Sequence, residues 1–211
     1  RDAATGIALP HPSVEGLKPD EIAIWTAVPR MYGWHATLAA PFRLVPHVSV
    51  EDVMKATRLL VSSCRTLIIR ELRPAALDGF VALEPSPELS ELRELAEQAT
   101  RAVDHLRAAS TVEELTKRNS APLTGRQADL LARWGYPYTM EEFRFHMTLT
   151  GKLSRRDMDR VVQSVTAHLR QSDPGPLSVD GITLFHQPGV GHSFRMLRWF
   201  GFDGSETDFS G

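Results

Sequence analysis

One four-residue pattern occurs twice in this chain, as His35-Ala36-Thr37-Leu38 and His146-Met147-Thr148-Leu149, and each copy sits in an apolar-rich run. In a shuffled chain of the same composition, His-x-Thr arises on the order of 0.5 times, but with a following Leu only about 0.06 times, so two full copies are hard to credit to chance. In an extended strand, residues i and i+2 share a face, and each His therefore projects beside its own Thr. Around the second copy the alternation is strict. Phe143, Phe145, Met147 and Leu149 are apolar, while Arg144, His146, Thr148 and Thr150 are polar, as in a strand with one face in the core. Around the first copy, Trp34, Ala36 and Leu38 oppose Gly33, His35, Thr37 and Ala39, with a shorter polar face.

The remaining composition narrows the function classes. Twenty-four Lys and Arg against 26 Asp and Glu give a net charge of −2 without a basic stretch, which argues against a protein that grips long nucleic acid through its phosphates. A small anionic ligand held by a few local cations stays open. The single cysteine, Cys64, excludes an internal disulfide and any cysteine-based zinc cluster, and fits a reducing cytoplasm, the expected location. No apolar run reaches membrane-spanning length and no basic-then-apolar leader opens the chain, so no membrane partner is expected.

Helix and strand signals then place the motifs. Residues 1–30 are proline-rich and read as an irregular arm, with a short helix around Asp20 to Ala27. Ser49 with Asp52 forms a capping-box pattern ahead of a helix to Cys64, and strands are expected at Thr66 to Arg73 and Gly79 to Leu83. A long amphipathic helix spans Pro87 to Leu106, followed by a polar insertion over 110–139 whose own helix starts at Thr124. The run Trp134-Gly135-Tyr136-Pro137-Tyr138, just ahead of the second motif, reads as a packed corner or as a binding wall. After the second motif, Ser154 and Asp157 cap another helix; strands at Leu177 to Phe185 and Phe194 to Phe200 follow, joined by a hairpin at Pro188 to Gly191. Strand, helix, strand, strand thus occurs twice, each time led by His-x-Thr-Leu. The expected architecture is α+β: one bilobal domain over 1–211, with lobe 1 at about 31–86, the helix and insertion at 87–139, and lobe 2 at about 140–202. In each lobe helices lie outside an antiparallel sheet, and the two His-x-Thr strands face a central cleft.

The chemistry of such a cleft is acid/base. Histidine titrates near neutrality, so one imidazole can take a proton while the other gives one. Thr37 and Thr148 are placed to hydrogen-bond two oxygens of a bound anion, and a tetrahedral phosphoryl group fits that geometry. Arg144 shares the polar face of His146 and Thr148 and can stabilise negative charge. Neither histidine has a metal-type spacing such as His-Glu-x-x-His, so neither metal nor cofactor is expected.

These residues resemble the 2H phosphoesterase superfamily, named for paired His-x-Thr/Ser motifs, and within it a bacterial branch of uncharacterised proteins associated with phosphonate-utilisation genes. The likeness is carried by residues 1–6 (Arg-Asp-Ala-Ala-Thr-Gly), by 32–38 with 41–44, and above all by 134–138 running on to 141–151. It implies a duplicated fold and a metal-independent phosphodiesterase, a hydrolase that uses His35, His146, Thr37 and Thr148. The substrate would be a small cyclic or 2′-linked phosphodiester, such as a nucleotide or ribose cyclic phosphate, within phosphonate metabolism. Tyr32, Arg43, Tyr136 and Arg144 are the expected substrate-binding residues. The branch usually carries Lys at the position of Ala39, and Arg43 or Arg144 is a candidate to compensate for the lost cation. Two other readings stand beside it: a binding protein that senses a phosphorylated ligand without turnover, and an RNA-end-processing 2′-5′ ligase or cyclic phosphodiesterase.

Overall fold

A computed structural model describes residues 1–118, 122–189 and 191–209. It is a mixed α+β structure. The first half contributes α1 (Pro19–Trp25), α2 (Val50–Val61), β1 (Leu67–Ile69), β2 (Leu72–Leu77) and β3 (Phe80–Pro85). After these come α3 (Ser90–Val103), α4 (Val112–Arg118) and α5 (Gly125–Trp134). The second half contributes β4 (Met147–Thr148), α6 (Arg155–Ser172), β5 (Leu177–Val179), β6 (Gly181–His186), β7 (Arg195–Gly201) and β8 (Glu206–Asp208).

The helices begin where their side chains satisfy the first free amides. Ser49 Oγ accepts from the Asp52 amide while the Asp52 carboxylate accepts from the Ser49 amide, and Thr124 and Gln127 repeat the exchange at α5. Ser154 caps α6 through the Asp157 amide. Caps of this kind contribute about 1 kcal/mol each. At its other end α5 is stopped by Gly135 at φ 71°, whose amide donates to the Leu131 carbonyl at 2.8 Å. A Cβ there would sit 2.8 Å from Arg107 Nη1, so glycine is required by space as well as by the left-handed turn.

Strand pairing departs from the sequence reading in two places. The run 66–73 breaks at Arg70-Glu71 into β1 and β2, and the run 177–185 breaks at Asp180 into β5 and β6. The freed pieces β1 and β5 then pair with each other, antiparallel, with Leu67 opposite Val179. The other two sheets have the orders β2-β3-β4 and β6-β7-β8. Pairing therefore crosses between 31–86 and 140–202: β4 joins the β2–β3 hairpin, with Leu83 opposite Met147 and Ala82 opposite Thr148. Helices cross too, since α2 packs against β6 and β7 while α6 packs against β2 and β3. Met54 and Val61 of α2 bury against Phe200 of β7, with Ile182, Leu184, Leu197 and Phe202 around them. The insertion holds a second helix, α4, beyond the one expected from Thr124. Residues 119–121 of that insertion and Val190 of the expected 188–191 hairpin lie outside the described residues.

The insertion is tied to the long helix by charge. Asp104, just past α3, accepts from Arg107 at 3.1 Å and from Arg133 of α5 at 2.8 Å. Burial pushes its carboxyl up, but the bonds from Arg133 and Arg107 outweigh this and hold it below its ordinary value of 3.8. A depressed carboxylate stabilises the fold above its unfolded pKa, and that stability is lost as pH falls through the folded value. Asp104→Asn is therefore expected to melt below the parent chain at neutral pH, and the two curves should converge as the pH drops below about 4. Melting temperatures across that range test it; a gap that persists in acid would place the effect elsewhere.

Candidate active site

The two motifs meet as neighbours. Ala36 forms an antiparallel bridge with Met147, which extends the β2-β3-β4 sheet by one short contact. Opposed residues in such a pair share a face and their neighbours point the other way. The register set by this bridge puts His35 across from Thr148 and Thr37 across from His146. All four candidate side chains thus lie on one face, with Ala36 and the buried Met147 on the other. The expectation of two strands facing each other across a cleft gives way to two segments side by side at a sheet edge. The first copy is a single bridge rather than a strand, with Gly33 at φ 73° just before it and Trp34 exposed instead of packed.

Both imidazoles are held the same way. Nδ1 of His35 lies 3.0 Å from the Gly33 carbonyl, and Nδ1 of His146 lies 2.8 Å from the Arg144 carbonyl, each two residues back. A carbonyl only accepts, so in each ring Nδ1 carries the proton and Nε2 is directed to other partners. For His35 that partner is Thr37 Oγ1 at 3.0 Å. The Nε2 of His146 has no hydrogen-bond partner among the described residues. The pair is alike in tautomer but unlike in engagement: one nitrogen is held by its own threonine, the other is free to meet a ligand.

Aromatic rings surround both histidines. Phe185 of β6 lies 5.6 Å from His35, Tyr32 lies 6.4 Å from His35 and 5.4 Å from Phe194, and Phe80 of β3 lies 5.9 Å from His146. Phe80, Phe185 and Phe194 carry no local sequence signal beyond membership of apolar runs, and only strand pairing brings them here. The other expected residues are dispersed. Arg144 is exposed beside His146 and carries no ion pair among the described residues. Arg43 is engaged elsewhere, its Nε 2.9 Å from Glu114 and its Nη2 2.8 Å from the Ala109 carbonyl. Tyr136 is half-buried against Tyr138, at 5.7 Å and nearly edge-on, in the corner that leads into the second motif.

Two surface depressions lie apart from these residues. One, of about 550 Å³, is formed by Arg155, Arg156, Asp159, Arg160 and Gln163 at the start of α6. The other, of about 350 Å³, lies between α4 and α5. No group of three or more His, Cys, Asp or Glu suited to holding a metal occurs among the described residues. No helix among them is long and apolar enough to cross a membrane.

Comparison with known proteins adds the following. The chain is 36% identical over 191 residues to a ribose 1,5-bisphosphate phosphokinase PhnN of Janthinobacterium sp. (strain Marseille), covering 89% of this chain and 42% of that one. It is 38% identical over 167 residues to a protein of the same name from Laribacter hongkongensis (strain HLHK9), covering 79% and 38%. The chain thus spans about two fifths of the length of the curated relatives it matches. No solved structure matches. The relatives' names correct the functional expectation: a phosphokinase is a transferase, which conflicts with a metal-independent phosphodiesterase, and neither the ligand sensor nor the RNA-end-processing enzyme fits that name better. A family model described as "Protein of unknown function (DUF1045)" matches residues 37–195, from Thr37 of the first motif through the whole of the second, and the chain belongs to that family.

Proposed function

We propose that this chain binds a small phosphorylated ribose at the paired His-x-Thr edge, as the sugar-phosphate side of a phosphoryl transfer of the kind for which its relatives are named. The observation that carries the reading is the Ala36–Met147 bridge, which aligns two histidines, two threonines and the neighbouring Arg144 on one edge. His146 Nε2, when neutral, accepts a proton from a sugar hydroxyl; when protonated, it donates to a phosphoryl oxygen. Thr37 changes role with His35. Against a neutral ring its hydroxyl donates to Nε2, and against a protonated ring it accepts and turns its own proton toward the ligand. Arg144 supplies a positive charge of the kind that phosphate recognition uses. The sequence has no Gly-x₄-Gly-Lys-Ser/Thr run, the loop that cradles nucleotide phosphates in many phosphotransferases, so we assign this chain the sugar phosphate rather than the nucleotide.

The reading includes a duplicated architecture of the 2H type, supported by the reciprocal packing of α2 on the β6–β7 hairpin and α6 on the β2–β3 hairpin. It also includes a role in phosphonate metabolism, supported by the sequence resemblance. Calorimetric titration with ribose 1,5-bisphosphate tests the proposal, with ribose as the control. Saturable one-to-one binding of the bisphosphate and none of ribose is expected. No heat of binding at millimolar bisphosphate, or equal binding of ribose, overturns it.

A further inference from the structure

The two histidines are fixed at unequal depth in the fold. His146 leads directly into β4, whose backbone is laddered to β3. His35 leads into a single bridge, and its segment has no strand of its own. Another element must hold it, and residues 1–6 contact Met31, Gly33 and Phe194 around it.

We propose that the turn Arg1–Gly6 is a positioning device for His35 and not for His146, an inference that rests on the reading of His35 as a ligand-binding residue. The Arg1 guanidinium donates from Nη1 to the Met31 carbonyl at 2.9 Å and to the Phe194 carbonyl at 3.0 Å, and from Nε to the Gly6 carbonyl at 3.2 Å. One side chain thereby joins the turn, the segment before His35 and the residue that precedes β7. The turn that carries Arg1 is itself closed. Asp2 accepts from both the amide and the hydroxyl of Thr5, and the Gly6 amide returns to the Asp2 carbonyl at 3.0 Å.

Two contact routes run from this turn to the imidazole. Through the backbone, Ala3 lies against Gly33 so closely that a Cβ on residue 33 would come within 2.8 Å of the Ala3 Cβ, and the Gly33 carbonyl is the acceptor that fixes His35 Nδ1. Through the rings, Arg1 holds Phe194, Phe194 packs on Tyr32, and Tyr32 lies edge-on to His35. Among the described residues, neither route touches His146, whose fixing carbonyl belongs to Arg144.

Nitrogen-15 NMR of the histidine-labelled chain reads this directly, with signals assigned from the His35→Ala and His146→Ala variants. The parent chain is expected to show both rings with Nδ1 protonated. In Arg1→Ala, His35 should move to a mixture of tautomers while His146 stays in place. Gly33→Ala, which disturbs the same carbonyl by a different route, should do the same. Arg1→Lys, with one nitrogen in place of three, should lie between. Affinity for ribose 1,5-bisphosphate should fall about tenfold in Arg1→Ala, the loss of roughly one hydrogen bond's alignment. His35 signals that superimpose on the parent in both Arg1→Ala and Gly33→Ala overturn the proposal, and so does movement of His146 as large as that of His35. The NMR readout needs no ligand. A selective shift of His35 in a chain that fails to bind the sugar phosphate would leave the positioning intact and remove the function.

Discussion

His146→Ala is expected to weaken binding of ribose 1,5-bisphosphate by about 10- to 150-fold while leaving the melting temperature nearly unchanged. The magnitude follows from the Nε2 of His146, which no described residue engages and which is therefore available to an anionic ligand. A hydrogen bond to a charged group contributes about 1.5–3 kcal/mol, and 1.4 kcal/mol is a factor of ten in affinity. The cost to folding is small because, among the described residues, the half-buried ring makes one hydrogen bond, from Nδ1 to the Arg144 carbonyl, beside its contact with Phe80. His35→Ala should weaken binding less, because Thr37 already engages its Nε2 and part of the ligand bond replaces an internal one. Arg144→Ala should fall near the lower end, since an exposed charge is screened by salt, and its effect should shrink as salt is added. The double variant His35→Ala/His146→Ala should show no measurable binding. Affinity retained in His146→Ala would mean that the paired edge is not where the ligand sits. Titration calorimetry at two salt concentrations, with thermal melts of each variant, separates these outcomes.

How much of this was legible in the sequence depends on whether a signal was local. Of the alternation from Phe143 to Thr150, only Met147–Thr148 forms a strand; Phe143 and Met147 are buried, whereas Phe145 and Leu149 are half-buried. Its polar half is less uniform, because Thr150 is also buried, with its hydroxyl accepting from the Val81 amide at 3.0 Å. Ser49, Thr124 and Ser154 announced their helices because a cap is a contact between residues three apart. Nothing in the neighbourhood of Met147 says that its partner is Ala36, since a β bridge joins positions of any separation. For the same reason Arg43, expected to supply the cation that Ala39 lacks, is held instead by Glu114, 71 residues later. Strand β8 was missed because Glu206, Thr207 and Asp208 are all exposed and show no apolar alternation. It forms because Arg198 of β7 and Arg58 of α2 meet Glu206 from two sides, at 3.2 and 2.7 Å.

Phe200→Ala is expected to be the most destabilising single change in this chain, at about 3–5 kcal/mol. Phe200 is fully buried on β7, where it meets Met54 and Val61 from α2. It therefore lies where the helix of the first half packs on the hairpin of the second. Truncation leaves a cavity that neither side can easily close, because α2 is also anchored by the Arg58–Glu206 ion pair, with Glu51 of α2 itself holding the same guanidinium. Those two carboxylates raise the Arg58 pKa, and its guanidinium lies 5.7 Å from the Phe200 ring. For a chain of this size the loss corresponds to a fall of roughly 6–20 °C in melting temperature, against a total stability of about 5–15 kcal/mol for a typical domain. Phe200→Leu, which keeps most of the apolar volume, should cost a minor fraction of that. Hydrogen exchange locates the damage: amides of α2, β6 and β7 should lose protection first, while those of β2 and β3, packed under α6, should keep more of theirs. Equal loss of protection throughout would show that the two crossed packings form one cooperative unit. A near-parental melting temperature for Phe200→Ala would mean that α2 is not held to the hairpin by this core.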